Sequence, residues 1–167
     1  MPPAAIAHKR VSAVQRWTSG RHRGNHRLIA MADTLKLEIV TPQATVFAED
    51  VHMVTLPASE GEMGVYPGHV RLITQIVPGE IIVTKNGSDS TLAVGEGLIE
   101  VTPTRVSILT DMAIRAENID EAKVEEARQR AAARLREKIS DEEVATVNAS
   151  MVRALAQLQV KRRQRPR

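Results

Sequence analysis

Glu60 and Glu62 flank Gly61, and two carboxylates at that spacing are what a general acid and base would require. The surrounding glycines make a solvated turn the better reading, with a contact role left open. Gly61, Gly64 and Gly68 have the wrong spacing for a dinucleotide fingerprint and precede a strand pattern rather than a helix, and there is no G-x-x-x-x-G-K-[ST] loop. Gly95 and Gly97 read as a turn. His52 lies in a β-branched run and His69 follows Pro67-Gly68, each without ligand partners at metal spacing. His22 and His26 are four apart but lack a third ligand. With no cysteine and no serine in a G-x-S-x-G context, a nucleophile is missing as well. The chain is expected to be non-catalytic, with no metal and no required cofactor.

The elements around these residues are short strands followed by helices. Leu35, Leu37 and Ile39 alternate with Lys36 and Glu38, which gives one apolar and one charged face at the pleat period. β-Branched runs follow at 51–56, 70–77, 80–84, 98–102 and 106–110, punctuated by Pro57, Pro67-Gly68, Pro78-Gly79 and the Gly95/Gly97 pair. Asn86-Gly87 lies between Ile81-Ile82-Val83 and Leu92-Ala93-Val94, where both turn residues tolerate positive φ and a hairpin can close. This pattern predicts a β-sandwich over residues 33–116.

After Arg115 the period changes from 2 to 3.6. Asn118 with Glu121 predicts a helix start, and Val124, Ala127, Ala131 and Leu135 share one face. Ser140 with Glu143 repeats the capping pattern ahead of a stronger stripe, Val144, Val147, Met151, Leu155 and Leu158. The short connection at 138–141 predicts an antiparallel hairpin over 117–163, each helix about 20 residues and ~30 Å long. Such a hairpin needs a docking surface: the sandwich, another protein, or each at different times.

Charge is unevenly placed. The net +3 of the whole chain and its pI of 9.6 arise from a leading segment, because residues 1–30 hold six of the 23 bases and none of the 20 acids. From Met31 onward the chain is net acidic. With aromatics at only 2%, this argues against nucleic-acid binding. Residues 1–32 are expected to be a disordered basic extension, either an organelle-targeting peptide or residues preceding a true start at Met31-Ala32-Asp33; the second is favoured. A basic tail, 164–167, closes the chain.

The run Ser59-Glu60-Gly61-Glu62-Met63-Gly64-Val65-Tyr66-Pro67-Gly68-His69, continuing to Leu72-Ile73 and Pro78-Gly79, closely resembles the signature of F-type ATP synthase epsilon subunits. Two colinear stretches agree: Gly97-Leu98-Ile99-Glu100-Val101 before Val106-Ser107-Ile108-Leu109, and Asp111-Met112-Ala113-Ile114-Arg115 before Ile119-Asp120-Glu121-Ala122. The resemblance covers roughly residues 33–160. It implies a β-sandwich followed by a helical hairpin, and a non-catalytic place in the central stalk between the gamma subunit and the c-ring. Glu60, Gly61 and Glu62 would then face the c-ring and His69 the gamma subunit. The leading alternative is an interaction module whose hairpin recruits a partner unrelated to ATP synthase.

The resemblance further implies a hairpin that moves between a compact state on the sandwich and an extended state in the head, where it blocks hydrolysis. Arg153, Lys161, Arg162 and Arg163 would meet acidic segments of the beta subunits there, among the alpha and beta subunits. Some family members bind regulatory ATP through an Ile/Leu-Asp-x-x-Arg-Ala motif. Here Ile119-Asp120-Glu121-Ala122-Lys123-Val124 keeps Ile119 and Asp120, but Lys123 lacks the planar donor fork of arginine and Val124 adds bulk, which argues against ATP. The implied location is peripheral, at the cytoplasmic face of the bacterial inner membrane, with an organelle as the alternative.

Overall fold

The structure, a computed structural model, describes residues 33–164. The expected extension 1–32, with His22 and His26, and the tail beyond Gln164 lie outside the described residues. Ten strands come first: β1 Leu35–Val40, β2 Thr45–Val51, β3 Met53–Ala58, β4 Gly61–Val65, β5 Leu72–Ile76, β6 Gly79–Lys85, β7 Ser88–Val94, β8 Gly97–Val101, β9 Arg105–Thr110 and β10 Ala113–Arg115. A 3-10 turn, Ala116–Asn118, leads to helices α1 Glu121–Arg134 and α2 Asp141–Arg163.

The strands form one path, β10-β7-β6-β3-β5-β8-β9-β1-β2, with β4 paired to β3. β1 and β9 are parallel, while the other pairs are antiparallel. The path folds over on itself. Lys85 of β6 reaches Glu49 of β2 at 2.7 Å, and Arg115 of β10 stands 4.9 Å over the Phe47 ring, so the two ends of the path meet. Leu35, Leu37 and Ile39 point inward with Val54, Leu56, Ile81, Ile99, Val106 and Ile108, forming an aliphatic core with Phe47 as its aromatic member. Cutting one of these leucines or isoleucines to alanine costs ~2–5 kcal/mol.

Local rules account for several junctions. Asn86 at φ 51° and Gly87 at φ 73° close the β6–β7 hairpin. The expected run 51–56 is interrupted at His52, whose backbone N–H donates to Thr84 O at 2.9 Å and whose Nδ1 accepts from Asn86 N at 3.3 Å. Rather than a strand residue, it ties the β2–β3 corner to the hairpin turn.

The helices also differ in detail from the periodicity. Asn118 ends the 3-10 turn, and Asp120 is the N-cap of α1, accepting from Lys123 N at 3.3 Å. α1 is 14 residues and α2 is 23, rather than about 20 each. Ser140 and Glu143 form the expected reciprocal capping box on α2. Leu155, expected in the buried stripe, is 48% exposed. Leu158 is buried as expected, but in its second half α2 meets the sandwich as well as α1, and it turns Ala154, Ala156 and Val160 inward beside Leu158.

Candidate functional sites: an uncovered sheet face and a charged hairpin seat

Glu60 and Gly61 form the turn into β4, with Gly61 at φ 123°. The segment expected to be a loop is a strand, in which Glu62 lies opposite Pro57 and Gly64 opposite Thr55. Two flanking acids reach a strand end through a glycine conformation that other residues rarely adopt. Both carboxylates are exposed. His69 lies beyond the other end of β4, where its Nδ1 is 2.8 Å from Val70 O and its N–H donates to Tyr66 O at 3.2 Å. Gly68 N–H donates to Pro103 O at 2.7 Å, anchoring this loop to the β8–β9 turn. Gly61 and Val65 are separated by about 13 Å of strand rise, so the structure does not bring Glu60 and His69 together. They mark opposite ends of one face.

The strand registers define that face. Along β5, β8, β9 and β1, outward residues fall into cross-strand rows. Near the Glu60 end, Gln75, Leu98, Leu109 and Val40 form one row; Ile73, Glu100, Ser107 and Glu38 form the next; Arg105 and Lys36 continue at the His69 end, with Arg71 just before β5. Leu109 is 57% exposed and Ile73 66%. An apolar groove of about 440 Å³ runs along Val40, Pro42 and Leu109. Among the described residues no helix covers this face. Sequence reasoning missed it, because Leu98 and Leu109 sit in apolar runs and only the register shows that they point outward together.

The hairpin occupies a different seat, on the outer side of β6 and β7. Ala93, Ala116, Ile119 and Val160 are buried together, with Met112, Ile114 and Val124 packed against them. Two of the four buried residues are alanines, and α1 buries no residue fully. Charge frames the seat. Arg153 Nη1 donates to Asp111 Oδ2 at 2.7 Å, and Lys161 Nζ donates to Ala116 O at 3.2 Å. Arg162 stands 3.7 Å from Glu121 and 3.9 Å from Glu125, and Arg163 pairs with Glu80. All four cations singled out in the sequence are therefore engaged within the chain in this compact state.

Lys123 lines a cleft of about 430 Å³ together with Met112, Val124, Arg153 and Gln157. Asp120 is committed as the cap, and Lys123 Nζ lies 3.5 Å from its carboxylate. The Lys123 backbone N–H holds the Asp120 carboxyl below its ordinary range. Ile119 is buried in the seat. Among the described residues no group of three His, Cys, Asp or Glu side chains could hold a metal ion, and no helix is long and apolar enough to cross a membrane.

The described residues thus make a two-part architecture, a sandwich with a helical hairpin folded back on β6 and β7. Residues 34–116 match the ATP synthase delta/epsilon chain beta-sandwich domain, and residues 117–162 match its long alpha-helix domain. The chain belongs to the ATP synthase delta/epsilon chain family. It is 41% identical to an ATP synthase epsilon chain of Herpetosiphon aurantiacus, over 80% of this chain and 98% of that one. An epsilon chain of Hydrogenovibrio crunogenus is 36% identical over 77% and 90% respectively. The fold resembles a chain in the Euglena gracilis mitochondrial ATP synthase, with a TM-score of 0.59 at 20% identity, covering 97% of this chain and 96% of that one. These relatives give no support to an interaction module unrelated to ATP synthase.

Proposed function

We propose that the chain is a non-catalytic rotor subunit in the central stalk of an ATP synthase, coupling c-ring rotation to the catalytic head, with a hairpin that can restrain ATP hydrolysis. The observation that carries this reading is the separation of two surfaces. The hairpin seats on β6 and β7, while the face across β5, β8, β9 and β1 is left uncovered by the other described residues and presents Leu98 and Leu109 side by side. A permanent partner and a movable hairpin can thus be served at once, since neither occupies the other's ground.

In this reading the gamma subunit covers the Leu98–Leu109 face and the adjoining His69 loop. Glu60 in the β3–β4 turn and Glu62 at the start of β4 approach the polar loops of the c-ring, where exposed carboxylates can meet basic side chains. In the head, Arg153, Lys161, Arg162 and Arg163 face acidic segments of the beta subunits. The protein works peripherally, at the cytoplasmic face of a bacterial inner membrane. Co-purification tests the central claim. Leu98→Glu with Leu109→Lys should lose the gamma subunit while the isolated protein keeps its fold by circular dichroism, and undiminished recovery of gamma with that double variant would refute the assignment of this face.

A further inference from the structure

Resting on the reading of the hairpin as a movable brake, we infer that Glu80 is the keeper of a one-sided latch: Arg163 is required for the hairpin to close over Glu80, although the pair itself adds little strength. Glu80 lies on β6 opposite Ala93, the alanine buried beneath α2. Its side chain is only 10% exposed, whereas that of its partner Arg163, the last residue of α2, is 57% exposed. With the hairpin in place, the carboxylate is largely removed from water, and among the described residues Arg163 is the cation paired with it. When the hairpin leaves, water takes over that task.

This asymmetry has a thermodynamic signature. Removing Arg163 leaves a shielded carboxylate unpaired only in the closed state, so closure is penalised. Removing the charge of Glu80 deletes both the attraction and the desolvation cost, so closure changes little. The second clamp is of another kind. Arg153 and Asp111 are 34% and 41% exposed, so their pair is weak, symmetric and screened by salt. Lys161 adds one hydrogen bond to the Ala116 carbonyl between the two clamps. The apolar contact beneath α2 centres on Ala93, Ala116, Ile119 and Val160, with Met112 and Ile114 at its edge, and the charges act around it.

The absence of cysteine from the chain makes the test direct. Ala93→Cys places one thiol under α2, and its labelling rate reports opening of the seat, with the same substitution in a chain lacking residues 141–167 giving the unprotected rate. In this background Arg163→Gln should label on the order of tenfold faster, Glu80→Gln less than about threefold faster, and the double variant should fall back towards Glu80→Gln. A double variant that labels as fast as Arg163→Gln, or an Arg163→Gln variant no faster than its parent, would overturn the latch. The brake reading fails separately: hydrolysis by the complex would then not respond to loss of the hairpin, whatever the labelling rates.

Discussion

Asp111 lies over Gly95 so closely that a Cβ on the glycine would stand 1.8 Å from its Oδ1, while its other oxygen accepts from Arg153. The missing side chain makes room for the acid that clamps the hairpin. Gly97 has a different neighbour: a Cβ there would meet the Leu109 carbonyl oxygen at 1.9 Å, inside the β8–β9 ladder.

These two glycines should therefore respond differently to alanine. In Gly95→Ala the flexible Asp111 carboxylate can swing aside, so the sandwich should keep its stability to within about 1 kcal/mol while the Arg153 clamp is lost. In Gly97→Ala backbone must move, and overpacking should cost ~1–3 kcal/mol or more. Denaturant unfolding followed by near-ultraviolet signals separates the two, and equal losses would show that Asp111 is more rigidly held than its exposure implies.

ATP should bind weakly or not at all at physiological concentration. Asp120 is committed to capping α1, Lys123 lies against it, and Arg153 is taken by Asp111. Replacing Lys123→Arg together with Val124→Ala restores the donor fork and removes bulk at the cleft, and should raise affinity by about tenfold or more. Calorimetry on the intact chain decides this. Micromolar binding by the unmodified protein, abolished by Asp120→Ala, would show that Lys123 and Val124 are compatible with the ligand.

Local rules made much of this architecture legible, and non-local ones hid the rest. The alternation of Leu35, Leu37 and Ile39, the Asn86-Gly87 turn and the Ser140/Glu143 box each depend on neighbours in the chain, and each forms. β4 was not legible, because Gly61-Glu62-Met63-Gly64-Val65 has two glycines and an alternation of only two apolar residues, Met63 and Val65; pairing with β3 makes it a strand. Asn118 and Asp120 are both good caps, and the 3-10 turn before α1 decides between them. Leu155 fits a helical stripe, yet the second half of α2 answers to a sheet as well as a helix. Glu80 and Arg163 are 83 positions apart, so nothing in either neighbourhood announces their pairing.

The start of α2 should show a pH dependence traceable to one carboxylate. Glu143 is held below its ordinary value of 4.5, first by the hydrogen bond from Arg134 and then by the Ser140 backbone N–H. A carboxyl depressed in the folded state stabilises above its unfolded value, and that contribution disappears as pH falls through the folded value. Glu143→Gln should therefore be less helical than the parent at neutral pH, and the gap should close below pH 4.5. Ser140→Ala should cost ~1 kcal/mol of helix stability at neutral pH. Far-ultraviolet circular dichroism from about pH 3 to about pH 7, which spans the titration of carboxylates, reads both, and a gap that widened in acid would contradict the assigned sign.

Removing residues 118–167 should separate assembly from restraint. The aliphatic core between β1 and β9 contains no hairpin residue, so the sandwich keeps its packing. Leu98, Leu109, Glu60, Glu62 and His69 also stay in place for the stalk contacts proposed above. The loss on the sandwich is confined to the seat, where Ala93 and Ala116 become wet, Met112 and Ile114 lose their helical cover and Glu80 regains water, while the main core is untouched. Proton-coupled synthesis should survive, and hydrolysis should rise because neither α2 nor its cations can reach the head. Neutralising Arg153, Lys161, Arg162 and Arg163 in the full chain is the sharper comparison, because these side chains also fasten the compact state. That variant should open the seat yet restrain hydrolysis less than the parent, since release without the charges leaves the extended hairpin poorly held. Steady-state hydrolysis of the purified complexes, with subunit content checked on the same samples, measures this. Unchanged hydrolysis after truncation, with assembly intact, would leave a coupler without a brake, and loss of assembly would make the hairpin part of the stalk's permanent packing.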